Sequence, residues 1–208
     1  MLVHVVFAHP SHDSFTGGVL GAFCDGLTEA GHRYTMSDLY QMAFNPVLDA
    51  AQYGRESTYQ ATWPVPDDVA VEQAKLDAAD AWVFVYPVWW TDCPAILKGW
   101  FDRVWSVGYA YEPGHVNANR ALPQLVASMR PAKLALVLCT AGHTEAELRV
   151  SGCYQAMETT MMTDRIATRA EVKRFVVFGG SAELDSDAWA AQRAAHLDEA
   201  RRLGRNLA

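Results

Sequence analysis

The feature that most constrains the fold of this chain is an alternation of short apolar runs with stretches of helical periodicity. That alternation is typical of a parallel sheet covered by helices on both faces, because parallel strands need crossover connections. The predicted strands are Leu2–Ala8, His32–Ser37, Ala81–Tyr86, Leu134–Thr140 and Arg174–Phe178. The sequence therefore predicts one α/β domain over residues 1–208, with a three-layer, doubly wound, five-stranded parallel sheet of strand order 2-1-3-4-5.

Helices are predicted between these strands. After the first strand, residues of helical spacing precede Gly31, which is a stop signal: Val19, Leu20, Phe23, Leu27 and Ala30. Further helices are expected at Asp67–Ala79, at Ala95–Trp105, within Cys153–Ile166 and at Asp185–Asn206. Two long segments, Tyr40–Pro66 and Tyr109–Arg130, show no clear periodicity, and loops of that length in a compact domain are usually functional or lie at an interface.

Charge and composition exclude several classes of partner. The 208 residues carry a formal net charge of -7, which argues against nucleic acid or an anionic membrane as a partner. No apolar run approaches the roughly 18 residues of a membrane span. The N-terminal residues lack the pattern of a signal peptide, so we expect a cytoplasmic protein. The four cysteines form no C-x-x-C pair, which disfavours disulfides and structural zinc: Cys24, Cys93, Cys139 and Cys153.

The segment after the first strand, His9–Thr16, carries imidazoles and hydroxyls at the start of a helix. Ligands of open parallel sheets bind beyond the carboxyl ends of the strands, and a helix N-terminus is a natural phosphate site. The segment matches neither G-x-G-x-x-G nor the P-loop pattern. Ser14 or Thr16 could instead simply cap the helix. A metal bound by His9 and its neighbours is disfavoured, because no partner cluster exists elsewhere.

Two further segments leave strands at the same predicted edge. Pro87–Pro94 contains the adjacent tryptophans Trp89 and Trp90, which could wall a flat apolar ligand. Packing both in the core would require two neighbouring side chains to point inward, which is unusual. After the fourth strand, Gly142 allows a close approach of backbone to a ligand.

At these residues a family resemblance becomes visible. The run Tyr86–Val104, and above all the unbroken Pro-Ala-Ile-Leu-Lys-Gly-Trp-Phe of Pro94–Phe101, is similar to the signature of NAD(P)H:quinone oxidoreductases of the DT-diaphorase type. Similarity extends from Leu2 to Thr140 and fades beyond Gly142. The resemblance implies a flavodoxin-like fold, FAD as cofactor, NAD(P)H as electron donor, ping-pong two-electron reduction of a quinone, and a homodimer with shared active sites.

The resemblance also implies site residues. The adenosine diphosphate part of FAD would contact His9, Ser14, Phe15 and Thr16. The isoalloxazine ring would lie against Pro87, Val88, Trp89, Trp90 and Thr91, and its polar edge against Thr140, Ala141, Gly142 and His143. Gln52 is the aligned position for a glutamine that reaches the cofactor. Tyr111 matches a tyrosine that acts in the partner's active site, and Pro113 stands where a second one would be.

The acid–base part of the family's site departs from the pattern. An ungapped alignment puts Glu147 and Cys153 where a tyrosine and a histidine assist charge transfer. Tyr154 or His143 could take that catalytic role, the backbone alone could carry it, or the substrate could differ from a simple quinone. For Cys153 we favour a small buried apolar residue over a reactive thiol.

The leading function is therefore flavin-dependent NAD(P)H oxidation coupled to reduction of quinones or of related flat acceptors such as azo or nitro compounds. An ancillary flavoprotein subunit that regulates a potassium-efflux antiporter is one alternative, and a flavodoxin-like electron carrier is another. FAD is favoured over FMN because the His9 loop lacks a threonine-rich phosphate loop. The physiological acceptor, and NADH against NADPH, stay open.

Overall fold

The computed structural model describes residues 1–111, 128–182 and 186–207. Five strands form one parallel sheet of order β2-β1-β3-β4-β5, which confirms the predicted topology. In chain order they are β1 (Leu2–Phe7), β2 (Arg33–Asp38), β3 (Ala81–Pro87), β4 (Ala132–Thr140) and β5 (Ala170–Phe178). The predicted strands were correct in kind, with β4 and β5 beginning earlier than expected.

Helices cover both faces of the sheet. They are α1 (Phe15–Glu29), α2 (Ala50–Ser57), α3 (Asp67–Ala78), α4 (Ala95–Val104), α5 (Glu145–Val150), α6 (Cys153–Glu158) and α7 (Ser186–Arg205). A π-helical segment, Thr159–Ile166, continues α6. The structure corrects the interpretation of Tyr40–Pro66 as a segment without regular structure, because it contains α2. Eight residues are too few for helical periodicity to stand out.

Side chains alternate between two apolar layers along the fully buried strand β3. Trp82, Phe84 and Tyr86 pack into one cluster with Trp100 of α4. Ala81, Val83 and Val85 face the opposite cluster, which includes residues of α1 and α7. This period of two is what a strand buried on both faces requires.

Helices α1 and α7 approach each other at backbone distance. A Cβ atom added to Gly26 would lie 2.1 Å from the carbonyl oxygen of Arg201, and one added to Gly204 would lie 2.3 Å from that of Phe23. Because only glycine lacks the Cβ atom, these two positions permit the close packing. The C-terminal helix therefore covers the first helix of the chain.

One polar network is buried beneath α3. The Glu72 carboxylate accepts hydrogen bonds from Ser37 Oγ at 3.0 Å and from Trp100 Nε1 at 2.9 Å, and pairs with Lys75 Nζ at 2.5 Å. His4 lies beside it, with Nδ1 2.8 Å from Thr35 Oγ1. Burial lowers the pKa of His4 to about 4, because the charged imidazolium loses its hydration.

None of the helices in the described ranges combines the length and apolar character needed to cross a bilayer. Within the same ranges, no group of three or more His, Cys, Asp or Glu side chains is arranged to hold a metal ion.

Candidate active site

The three predicted site segments meet at the carboxyl edge of β1, β3 and β4. Residues of β3 and β4 pair in register up to Pro87 and Thr140. Just beyond, the Val88 N–H donates to the Thr140 carbonyl at 2.7 Å. The ring centroids of His9 and Trp89 are 6.4 Å apart, so the segment after β1 adjoins the segment after β3. The expectation that these segments come together is confirmed.

Ser14 caps α1. Its Oγ accepts a hydrogen bond from Gly17 N–H at 3.0 Å and donates to the Ser11 carbonyl at 2.8 Å. Within the described part of the chain, the backbone N–H groups of Phe15 and Thr16 have no acceptor. Free N–H groups at the positive end of a helix dipole form an anion site. The Ser14 cap therefore leaves two backbone N–H groups of this helix available to an anion.

The rest of the His9–Thr16 segment is tied down by local contacts. Ser11 N–H donates to His9 Nδ1 at 3.0 Å. His12 Nε2 lies 2.6 Å from Asp38 Oδ2 at the end of β2, and its ring centroid is 5.0 Å from that of Phe7. These contacts fix the shape of the segment before any ligand binds.

A cleft of about 570 Å³ opens between the ends of β3 and β4. This volume is in the range of small-molecule sites. One wall is formed by Val88, Trp90 and Thr91. The remaining lining comes from the turn after β4 and from α5 and α6: Ala141, Gly142, His143, Glu147, Leu148, Ser151 and Cys153.

The wall of the cleft that contains Trp90 and Thr91 is formed by a two-residue turn. Trp89 N–H donates to the Asp92 carbonyl at 2.9 Å, and Asp92 N–H returns a bond to the Trp89 carbonyl at 3.1 Å. Both central residues have positive φ angles, 51° at Trp90 and 61° at Thr91. Such angles suit glycine or asparagine in a type I′ turn and are strained for Trp and Thr. We call residues 89–92 the Trp turn.

Neither tryptophan of this turn is buried, and Trp90 is fully exposed. The expectation that the pair does not pack in the core is therefore confirmed. In the described ranges, the backbone N–H groups of Trp90, Thr91 and Gly142 have no acceptor. Those three donors lie on residues that line the cleft.

The part of the cleft beyond β4, where the sequence predicted an acid–base residue, brings together a different set of side chains than expected. Tyr154 is buried, with the Arg149 guanidinium 3.5 Å from its ring centroid and Phe175 packed at 5.6 Å. Tyr154 is not among the residues that line the cleft, whereas His143, Glu147 and Cys153 are. Gly152, which precedes α6 with φ 80°, changes the chain direction between α5 and α6. The structure therefore leaves His143 as the predicted catalytic residue that lies at the cleft.

Cys153 is partly exposed, so its interpretation as a buried apolar residue is wrong. Hydrogen bonds from Ser151 and from Thr91 lower the pKa of its thiol, and Thr91 Oγ1 lies 3.6 Å from Sγ. Both hydroxyls stabilise the thiolate, which is the nucleophilic form.

Glu147 was not predicted as a site residue. Its Oε2 accepts from Thr144 N–H and from Thr144 Oγ1, each at 2.7 Å, in a capping box. The spacing Thr144-x-x-Glu147 is a sequence signature of a helix start, and could have revealed α5. Leu148 and Ser151 lack a comparable signal.

Two residues carried over from the family lie elsewhere in this chain. Gln52 is buried in α2, where its Nε2 donates to the Arg103 carbonyl at 2.8 Å. Tyr111 OH donates to Glu56 Oε2 at 3.0 Å. Neither lines the cleft. Their proposed roles toward the cofactor stay predictions, and Pro113 lies outside the described residues.

Comparison with known proteins agrees with this architecture. A family described by its flavodoxin-like fold matches residues 1–202. The solved structure of an NAD(P)H:quinone oxidoreductase from Methanothermobacter marburgensis is similar over 100% of this chain and 96% of that chain, with 42% sequence identity and a TM-score of 0.86.

Curated proteins show the same relationship. NAD(P)H dehydrogenase (quinone) 1 from Rattus norvegicus is 40% identical over 121 residues, covering 51% of this chain and 44% of its own length. Ribosyldihydronicotinamide dehydrogenase (quinone) from Pongo abelii is 34% identical over 157 residues, covering 68% of this chain and 64% of its own length. The chain thus spans less than two thirds of the length of these curated relatives.

Proposed function

Because the chain belongs to the family with a flavodoxin-like fold, together with NAD(P)H:quinone oxidoreductases, we propose that it is a flavin-dependent oxidoreductase. It takes two electrons from NAD(P)H and passes them to a quinone or a related flat acceptor. The observation that carries this proposal is the cleft between the Trp turn and Gly142, which is lined by the exposed Trp90 and by residues whose backbone N–H groups have no acceptor among the described residues.

The residues present fit a flavin. A planar ring suits the slot beside Trp90, and the free N–H groups of Phe15 and Thr16 suit a phosphate at the start of α1. A flavin bound here would supply two-electron hydride chemistry. We propose FAD, because the His9 segment resembles that of FAD-binding relatives. FMN is the alternative.

The chain contributes electrostatics at the polar edge of the ring. Trp90, Thr91 and Gly142 line the cleft and carry backbone N–H groups that have no acceptor among the described residues. Donors fixed before binding would stabilise negative charge there without reorganisation. We propose that His143, which lines the same cleft, donates the proton that the acceptor needs, since imidazole is the side chain that most often performs this task.

We also propose a ping-pong order of substrates. Donor and acceptor would both have to approach the wall formed by Val88 and Trp90. A common place for both substrates gives ping-pong kinetics, in which the oxidised nicotinamide leaves before the acceptor enters.

We further propose a homodimer. Tyr111 is held by Glu56 beside α2 and does not line the cleft of its own chain. A role for this tyrosine in catalysis therefore requires a second subunit. Sedimentation equilibrium, together with the kinetics of Tyr111→Phe, tests the proposal. A monomer with full activity would contradict it.

Identification of the flavin tests the main proposal. The purified protein is expected to be yellow, or to become so on incubation with FAD or FMN, and heating should release a flavin that chromatography identifies. Anaerobic stopped-flow mixing with NADH and NADPH, followed by benzoquinones, naphthoquinones and azo dyes, then defines the donor and the acceptor class. A protein that binds neither flavin would overturn the proposal.

A further inference from the structure

Arg165, in the π-helical segment, reaches the Trp turn from a distant part of the chain. Its Nη1 donates to Asp92 Oδ1 at 2.7 Å and its Nη2 to Asp92 Oδ2 at 2.9 Å, a bidentate pair between residues 73 positions apart. Planar bidentate pairs fix direction as well as distance. Asp92, the last residue of the Trp turn, is therefore fixed in both position and orientation.

The Arg165 side chain is itself firmly placed. Its guanidinium lies 5.4 Å from the Phe101 ring centroid, and its Nη1 is 3.3 Å from Cys93 Sγ and 3.3 Å from Met161 Sδ. The Arg165 carbonyl accepts a hydrogen bond from Trp105 Nε1 of the main core cluster. Arg165 is thus held in place by its contacts with residues of the main core cluster. π-Helical insertions often occur at functional sites, where they redirect a side chain.

The Trp turn needs such support, because positive φ angles at Trp90 and Thr91 are unfavourable for residues with a Cβ atom. Strained backbone persists only where surrounding contacts over-determine it. Cys93 N–H donates to Asp92 Oδ1 at 2.7 Å, so the carboxylate joins the turn to the start of α4. Partial burial acts to raise the pKa of Asp92, but the Arg165 and Cys93 hydrogen bonds outweigh it and lower that pKa.

We propose that Arg165 is a positioning residue for the cleft: through Asp92 it holds the Trp turn in the strained shape that presents Trp90 to the bound flavin. The inference rests on the proposed function for the identity of the ligand. The other part of the inference, that the buried Arg165 maintains the shape of the Trp turn, depends only on contacts within this chain.

Flavin binding and spectra of charge variants test the inference. Arg165→Met keeps the apolar part of the side chain but removes both hydrogen bonds to Asp92. Asp92→Asn removes the negative charge of the more exposed partner and so weakens the same pair. Both should raise the Kd for FAD about tenfold, which corresponds to a modest loss of binding free energy, and should alter the visible circular dichroism of bound flavin. Arg165→Lys, which keeps one charged donor, should rescue part of the change.

A matched control exists within the chain. Arg103 forms a bidentate pair with Asp68, and the side-chain exposures are 5% and 42%, against 6% and 41% for Arg165 and Asp92. Asp68→Asn therefore removes a similar charge at a similar depth without touching the Trp turn. It should leave the flavin spectrum and the Kd unchanged.

A glycine variant of the Trp turn distinguishes support of the turn by Arg165 and Asp92 from a general effect of this pair on the stability of the protein. A Thr91→Gly background relieves one of the two residues with positive φ, so the turn needs less support. Adding Asp92→Asn in that background should therefore raise the Kd by a smaller factor than it does in the wild-type chain. If wild-type protein binds neither FAD nor FMN, the proposed function fails. If it binds flavin and Arg165→Met, Asp92→Asn and Asp68→Asn all match it in Kd and spectrum, the inference about Arg165 fails. If Arg165→Met does not fold, Asp92→Asn alone decides.

Discussion

The hydroxyl groups of Thr16 and Thr140 lie 2.7 Å apart and join the first turn of α1 to the last residue of β4. Both residues are buried. This hydrogen bond joins the proposed phosphate site at the start of α1 to the end of β4, which leads into the cleft.

Replacing Thr16 by Val keeps the shape of the side chain and removes that bond. The variant should lose about 1–2 kcal/mol of unfolding free energy, because the Thr140 hydroxyl is left buried without its partner, and should bind flavin more weakly. Urea denaturation and flavin titration measure the two effects. Thr28→Val is the control, since Thr28 is exposed and its hydroxyl donates to the Cys24 carbonyl within α1. Equal losses in both variants would contradict the prediction.

Gly17 permits the segment before α1 to fold back on the helix. A Cβ atom there would lie 2.1 Å from the backbone oxygen of His12, so Gly17→Ala should cost about 1–3 kcal/mol through overpacking and displace the proposed phosphate site. Gly21→Ala in the same helix meets no atom within 4 Å and should stabilise the protein by about 0.5–1 kcal/mol. Thermal unfolding with and without flavin distinguishes the two variants.

His4 should make stability depend on pH. Its folded pKa of about 4 lies below its ordinary value of 6.5, so the unfolded chain binds more protons between these values. Stability is then fully present above pH 6.5 and falls as the pH decreases toward 4, by about 3 kcal/mol for an isolated group. Urea unfolding at stepped pH measures it, and His4→Gln should flatten the profile. A wild-type stability that rises from pH 6.5 to 4 would show that the sign is wrong.

Among the cysteines, Cys153 should react first with iodoacetamide. Hydrogen bonds lower the pKa of its thiol, whereas burial raises the pKa of Cys24 to about 11 and that of Cys93 to about 12, and raises the pKa of Cys139 as well. Peptide mass spectrometry after limited labelling identifies the modified site. Because Cys153 lines the cleft, bound flavin should slow its labelling. Faster labelling of Cys93 would contradict the prediction.

His143 and Tyr154 should differ in their kinetic effects. His143→Asn should lower kcat with a quinone by about 10²-fold or more, as is typical for loss of a general acid. Tyr154→Phe should have a far smaller effect, because its ring packs between Arg149 and Phe175 away from the cleft lining. Steady-state rates over a range of pH measure both. A larger loss in the tyrosine variant would reverse this assignment.

The sheet could be predicted because its signal is local. Strand β3 alternates large and small apolar residues on two buried faces, and its neighbours show similar apolar runs. The site segments could be predicted for the same reason, since parallel strands end at one edge. What periodicity could not show is the short helices: α2 and α5 have eight and six residues.

The part of the cleft formed by α5 and α6 could not be predicted, because its geometry depends on one backbone angle. Gly152 adopts φ 80° between α5 and α6, so spacing along the sequence no longer gives the face of the helix. Cys153 thereby lines the cleft while Tyr154 turns inward. Likewise, alignment places Gln52 but does not reveal its contact with Arg103, which is far away in sequence.

The close packing of α1 on α7 has a consequence for how the protein is made. Asp25 and Arg201 pair across 176 positions, so the face of α1 that packs on α7 stays uncovered on the ribosome until α7 has been synthesised. Contacts between residues so far apart in the sequence slow folding and prolong the lifetime of aggregation-prone intermediates. The packing of α1 is thus completed late, only after α7 has been made.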